Sequence, residues 1–172
     1  MNAEKNIYRG LKIFFGFLVT MMGVAAAGLI AIVVILNNSA ELQNVIMTAV
    51  KQIPNGINAV ELVSSPIFIA MVLANIFLYG LLFFFTRRFF KNLQLNRIFV
   101  EENVHTAKKI SVVLALLSLT VYLPNVYTNI AGLTSDASII DLTYIVGAVI
   151  VWALAKILEK ANAIAEENEL TV

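Results

Sequence analysis

The chain has 172 residues; 60% are hydrophobic, 13% are charged, and the formal net charge is +1. A soluble domain is about 45–50% apolar and about 25% charged, so this charge cannot cover a water-soluble globule of such size, and a mean hydropathy of +0.86 excludes disorder. The near-neutral balance argues against direct nucleic-acid binding, and with no Cys and one His the chain lacks disulfides, thiol catalysis and Cys/His zinc sites.

What remains is an integral membrane protein. A helix needs about 20 apolar residues to cross a hydrocarbon core of about 30 Å. Residues 13–36, 66–86, 110–130 and 139–158 meet that requirement. The fourth run has Asp141 near one end and Lys156 near the other. Backbone groups in lipid must be bonded internally, which makes these runs helices; the alternation of a membrane barrel is absent. The first run is too long for a signal-peptide core, and Asn37-Asn38-Ser39-Ala40 is a poor cleavage site, so it is expected to be an uncleaved anchor.

Basic residues set the expected orientation. Lys5, Arg9 and Lys12 precede the first span; Arg87, Arg88, Lys91, Arg97, Lys108 and Lys109 lie between the second and third; Lys156 and Lys160 end the fourth. Only Lys51 falls in the other two connections. The positive-inside rule places both termini and the 87–109 loop in the cytoplasm. The expected fold is an all-α integral membrane four-helix bundle, one domain over residues 1–172, in a bacterial plasma membrane. Its outer loops are 37–65 and 131–138, and its cytoplasmic tail is 159–172.

In the first outer loop, Leu42, Val45, Ile46, Ala49, Val50 and Ile53 recur at helical spacing. Ser39 can cap that helix and Pro54-Asn55-Gly56 can end it. A short amphipathic helix on the outer membrane surface is expected, either as a lid over the bundle or as a sensing surface. The second span is expected to start with Ser64 or Ser65 as N-cap and Pro66 in the first turn.

Inside the bundle, Gly16, Thr20, Gly23 and Ala27 form a small-residue stripe that reads as a packing seam. Gly147 and Ala148 can serve similarly in the fourth span. In the third span Ser111, Ala115, Ser118, Tyr122, Asn125 and Asn129 form a second stripe, small or polar throughout. Pro124 is expected to bend that helix and free a carbonyl. Asn75, Tyr122, Asn125, Asn129 and Asp141 are the candidate polar cavity. Interhelical hydrogen bonds explain such residues without a ligand; a small-molecule or ion cavity is the sharper reading. No Asp, Glu, Lys, Arg or His lies mid-span, which disfavours a proton-driven transporter. His105 reads as a solvated interface residue.

No enzyme activity, cofactor or metal is expected. Glu101-Glu102 and Glu166-Glu167 are sequence neighbours, which do not face each other on a helix, and no phosphate loop, nucleophile triad or metalloprotease motif is present. The 87–109 loop combines Arg87, Arg88, Phe89, Phe90, Lys91, Arg97 and Phe99. It can anchor to the anionic inner leaflet or dock a cytoplasmic protein. The fourth helix is expected to run past the membrane on an apolar stripe of Ile157, Ala161 and Ile164. Glu166, Glu167 and Glu169 then make an acidic patch before Leu170-Thr171-Val172. The tail can fold back on Arg88, Lys91 or Arg97, or be offered to a partner. The candidate docking residues are therefore Arg87, Arg88, Lys91, Arg97, Phe99, Glu101, Glu166, Glu167, Glu169, Leu170 and Val172.

The run from Trp152 to Asn162, followed by Ile164 to Val172, resembles the ending of a bacterial membrane family described as a domain of unknown function, number 2975. That family ends in an acidic patch followed by Leu-Thr-Val or Leu-Thr-Ile. Ile98-Phe99-Val100-Glu101-Glu102-Asn103, then Lys108-Lys109-Ile110, is similar to its second recurring stretch. Two departures stand out: Val100, where a capping Ser or Thr is frequent, and Leu95-Asn96, where Gly is common. The resemblance implies no enzyme activity. By association it implies a small helix-turn-helix regulator of the Cro/CI type as a cytoplasmic partner. A regulatory or sensory role is thus the leading expectation, beside bilayer contact and possible homo-oligomers. The alternatives are a channel, transporter or exporter-associated subunit, or an envelope immunity or stress-resistance protein.

Overall fold

The computed structural model describes residues 2–51, 62, 65–132 and 138–169. Its regular elements are all helices: α1 (Asn2–Asn38), α2 (Ala40–Lys51), α3 (Pro66–Gln94), α4 (Glu101–Thr120), α5 (Leu123–Ile130) and α6 (Leu142–Glu169). Among the described residues, four helical stretches are long and apolar enough to cross a membrane: α1, α3, α4 with α5, and α6.

The caps follow from the local sequence. Ser39 Oγ accepts the Leu42 amide at 3.4 Å and starts α2. Ser65 is the N-cap of α3, with Pro66 in the first turn, where its missing N–H costs nothing. Val100 caps α4 without a side-chain hydrogen bond, as an apolar residue must. The Pro54-Asn55-Gly56 turn, Ile53, Ser64 and Leu170-Thr171-Val172 lie outside the described residues.

The long helices pack in file: α1 on α3, α3 on α4, and α4 on α6. The small-residue stripe of α1 is only partly a seam, which corrects the sequence reading. Gly16 meets Arg87 of α3, but Thr20, Gly23 and Ala27 are exposed. Phe15 takes the central place instead, between Phe83 and Phe90 of α3 at centroid distances of 6.2 and 5.7 Å. Bulky aromatic rings set the α1–α3 separation, and the small residues border them. Close approach is made further along, with Ala107, Ser111 and Ser118 buried on α4 and Ala148 and Ala155 on α6. A Cβ on Gly147 would lie 3.7 Å from Leu114. Small residues let membrane helices gain packing contacts that apolar lipid cannot otherwise drive.

The file leaves much apolar surface uncovered. Phe14, Phe17, Val24 and Ile32 of α1 are all more than half exposed in the protein alone. So much contiguous apolar surface is not tolerated in water.

Candidate functional site

Pro124 breaks the third apolar run. The chain leaves the α4 helix at Val121-Tyr122 and restarts as α5 with Pro124 in its first turn. Pro124 has no N–H to give the carbonyl four residues back, which is that of Thr120. Asn75 Nδ2 of α3 donates to that carbonyl at 3.0 Å. A second carbonyl of the same turn, that of Ser118, accepts the Asp141 amide at 3.1 Å. Asp141 Oδ1 in turn accepts the Thr143 amide at 2.9 Å, at the start of α6. The two residues thus come to one place, the end of α4, and each satisfies backbone left open by the break. Asn75 is buried, and its Oδ1 has no partner among the described residues.

The other polar candidates differ in exposure. Tyr122 is half-buried at the break, Asn125 is exposed, and Asn129 is half-buried. Ala115 is exposed while Ser111 and Ser118 are buried, so the stripe in the third run does not keep one face. The sequence reading missed two tyrosine contacts. Tyr79 of α3 and Tyr144 of α6 share a hydrogen bond of 2.6 Å, with Asp141 and Tyr122 in the same electrostatic neighbourhood. Tyr127 of α5 bonds Ser65 at 2.7 Å. The signal available was helix register: Tyr79 lies one turn beyond Asn75.

The basic end is organised by Asn103. It is fully buried, and its Nδ2 donates to the carbonyls of Arg97 and Ile98 at 2.7 and 2.8 Å. Its Oδ1 accepts from Asn92 Nδ2 at 2.9 Å. One side chain thereby clamps the α3–α4 turn to both helices. The turn is further closed by hydrogen bonds from Arg97 N to Asn92 O and from Asn96 N to Leu93 O, both 3.0 Å, with Asn96 at φ 57°. That is the Schellman pattern of a helix ending on a left-handed residue.

Ion pairs flank the clamp. Arg88 Nε donates to Glu102 Oε1 at 2.7 Å. Lys108 and Lys156 donate to the two oxygens of Glu159 at 2.8 and 2.9 Å, joining α4 to α6. Both carboxylates lie outside the four apolar runs. The Arg88 hydrogen bond holds the Glu102 carboxyl below the usual range. Hydrogen bonds from Lys108 and then Lys156 hold Glu159 down to about 2. His105 sits exposed beside Glu101 at 3.1 Å.

Among the docking candidates, Arg87, Lys91, Arg97, Phe99, Glu101 and Glu167 are exposed. Arg88 is paired with Glu102 rather than with the tail. The helix continues to Glu169 without folding back; the side chains of Glu166 and Glu169, and all of Leu170 and Val172, lie outside the described residues. Residues 48–172 match the family described as "Protein of unknown function (DUF2975)", so the chain belongs to that family. No curated protein and no solved structure matches it.

Proposed function

We propose that this member of the DUF2975 family is a non-enzymatic, multi-pass protein of the bacterial plasma membrane. It holds a small cytoplasmic helix-turn-helix regulator on the end formed by the α3–α4 turn and the far part of α6. The observation that carries this reading is the clamped turn. Leu95, Ile98 and Phe99 are 54, 40 and 56% exposed on a backbone fixed by Asn103. Apolar side chains held outward on an ordered backbone support docking, because little ordering entropy is left to lose on association. Arg97 and Glu101 give that tip a charged rim, and Ile157 and Ile164 extend the apolar surface along α6.

The placement of nearly all basic residues at this end supports its cytoplasmic orientation. The non-enzymatic reading is drawn from the sequence, in which no phosphate loop, nucleophile triad or metalloprotease motif occurs. A solute path through Asn75, Asn125 and Asp141 has less support. Asn75 and Asp141 are tied to backbone at the α4 break, and Asn125 is exposed.

The test is co-purification in detergent of the full chain with a co-expressed small helix-turn-helix regulator of the Cro/CI type. The wild type should retain the regulator, and Phe99→Glu should weaken retention about tenfold, the cost of losing one apolar anchor. In whole cells, Lys160→Cys should be shielded from a membrane-impermeant thiol reagent and Thr48→Cys should react, on a chain with no native Cys. Absence of any association, or labelling of Lys160→Cys from outside, rejects the reading.

A further inference from the structure

Two cavities open along the seam between α1 and α3. One, of about 420 Å³, lies at the basic end, where Lys12 of α1 faces Phe84, Arg87, Arg88 and Lys91 of α3, with Glu102 at its edge. The other, of about 220 Å³, is apolar and runs between Val19, Gly23 and Ala26 of α1 and Leu73, Phe77 and Gly80 of α3.

Their register is shared. Val19 and Ala26 follow Lys12 by one and two seven-residue steps; Gly80 and Leu73 precede Arg87 by the same steps; Phe77 precedes Phe84 by one. Seven residues make nearly two full turns, so each step returns to almost the same helix face, about 10 Å along the axis. The apolar groove therefore lies on nearly the same faces of α1 and α3 as the charged cleft, about 10 Å further along.

The cleft is short of negative charge. Its one carboxylate, Glu102, is committed to Arg88. Lys12, Arg87 and Lys91 have no ion-pair partner among the described residues. Arg87 and Lys91 stand four apart on one helix, where like charges repel. Gly16 seats the guanidinium: a Cβ there would lie 3.2 Å from Arg87 Nε and 3.6 Å from its Cδ and Cζ. Lys12 and Arg87 immediately adjoin the apolar runs 13–36 and 66–86, which is headgroup depth. A small anion satisfies the cleft but leaves the aligned groove empty, and a neutral lipid satisfies the groove but not the cations.

We propose that this seam binds one anionic phospholipid, its phosphate among Lys12, Arg87 and Lys91 and one acyl chain along the Val19–Gly80 groove. Native mass spectrometry of the full chain tests it, after exchange into detergent with phosphatidylglycerol, with phosphatidylcholine, or with inorganic phosphate. Phosphatidylglycerol should stay bound, phosphatidylcholine should be lost, and millimolar phosphate should not displace the lipid. The combined variant Lys12→Gln/Arg87→Gln/Lys91→Gln, which keeps the Arg88–Glu102 pair, should weaken phosphatidylglycerol binding about a hundredfold. Gly23→Leu should weaken it about tenfold by filling the groove, with every charge in place. Helicity by circular dichroism is checked for both, and Arg87→Gln alone replaces the combined variant if that one does not fold. Equal retention of the two lipids, unchanged phosphatidylglycerol binding in a folded variant, or displacement by phosphate alone overturns the assignment. The measurement contains no regulator, so its outcome is separate from that of the docking experiment.

Discussion

Asn96 shows how a single residue ends a helix. The end of α3 needs a left-handed backbone there, with φ at 57°. Gly meets that requirement without a Cβ, and Asn is among the few residues that visit the region readily. Asn96→Gly is therefore expected to leave thermal stability unchanged or raise it slightly, and Asn96→Ala to lower it by about 1 kcal/mol. Thermal unfolding of the purified protein in detergent measures both; equal loss in the two variants would contradict a backbone origin. The sequence marked Leu95-Asn96 as a turn position, but the left-handed backbone at Asn96 was not visible, since φ depends on the hydrogen bonds that close the turn. In the sequence Asn103 stands only as the last residue of the 98–103 stretch. Nothing about an Asn in a helix's first turn reveals that three polar groups from two other segments converge on it.

At the scale of elements, a missing N–H on α5 is compensated by a side chain on α3. Pro124 was legible as a breaker, and the freed carbonyl followed from it. That Asn75 bonds this carbonyl was not legible, because the two residues are far apart in sequence and their meeting depends on the relative height of α3 and α4. The pairing predicts a thermodynamic coupling. Asn75→Leu leaves the Thr120 carbonyl unbonded in an apolar setting and should cost about 1–3 kcal/mol. In a Pro124→Ala background the backbone at position 124 carries its own N–H, so the same substitution should cost at least about 0.5 kcal/mol less. A double-mutant cycle by detergent unfolding tests this, and strictly additive losses would refute it. The α1 stripe teaches the converse lesson. Its spacing was real, yet aromatic rings one position away took the helix contact.

For the whole molecule, the file of helices puts α3 and α4 in the middle and α1 and α6 at its ends. The Lys108–Glu159–Lys156 cluster fastens α6 to α4 just beyond the apolar runs and carries a pH signature. Glu159 has a folded-state pKa of about 2, below its ordinary value near 4.5. Its contribution is thus fully present above about pH 5 and fades as pH falls towards 2. The melting-temperature gap between wild type and Glu159→Gln should be constant from pH 7 to 5 and close on further acidification; a gap that widens instead would reverse the sign. The gap itself should be small, because both partners are partly exposed and solvent screens them. By itself the sequence determined the helical class, the four membrane-length runs, the cap at Ser39, the Ser-Ser-Pro start of the second run, the break at Pro124 and the gathering of bases between and beside the runs. Each of these rests on composition or on contacts within a few residues. Only the tertiary structure decided which helix faces meet, which polar residues close open backbone groups, and that two seven-residue registers align into one seam. Those outcomes depend on rotations and heights of whole helices, to which side chains from distant parts of the chain contribute together.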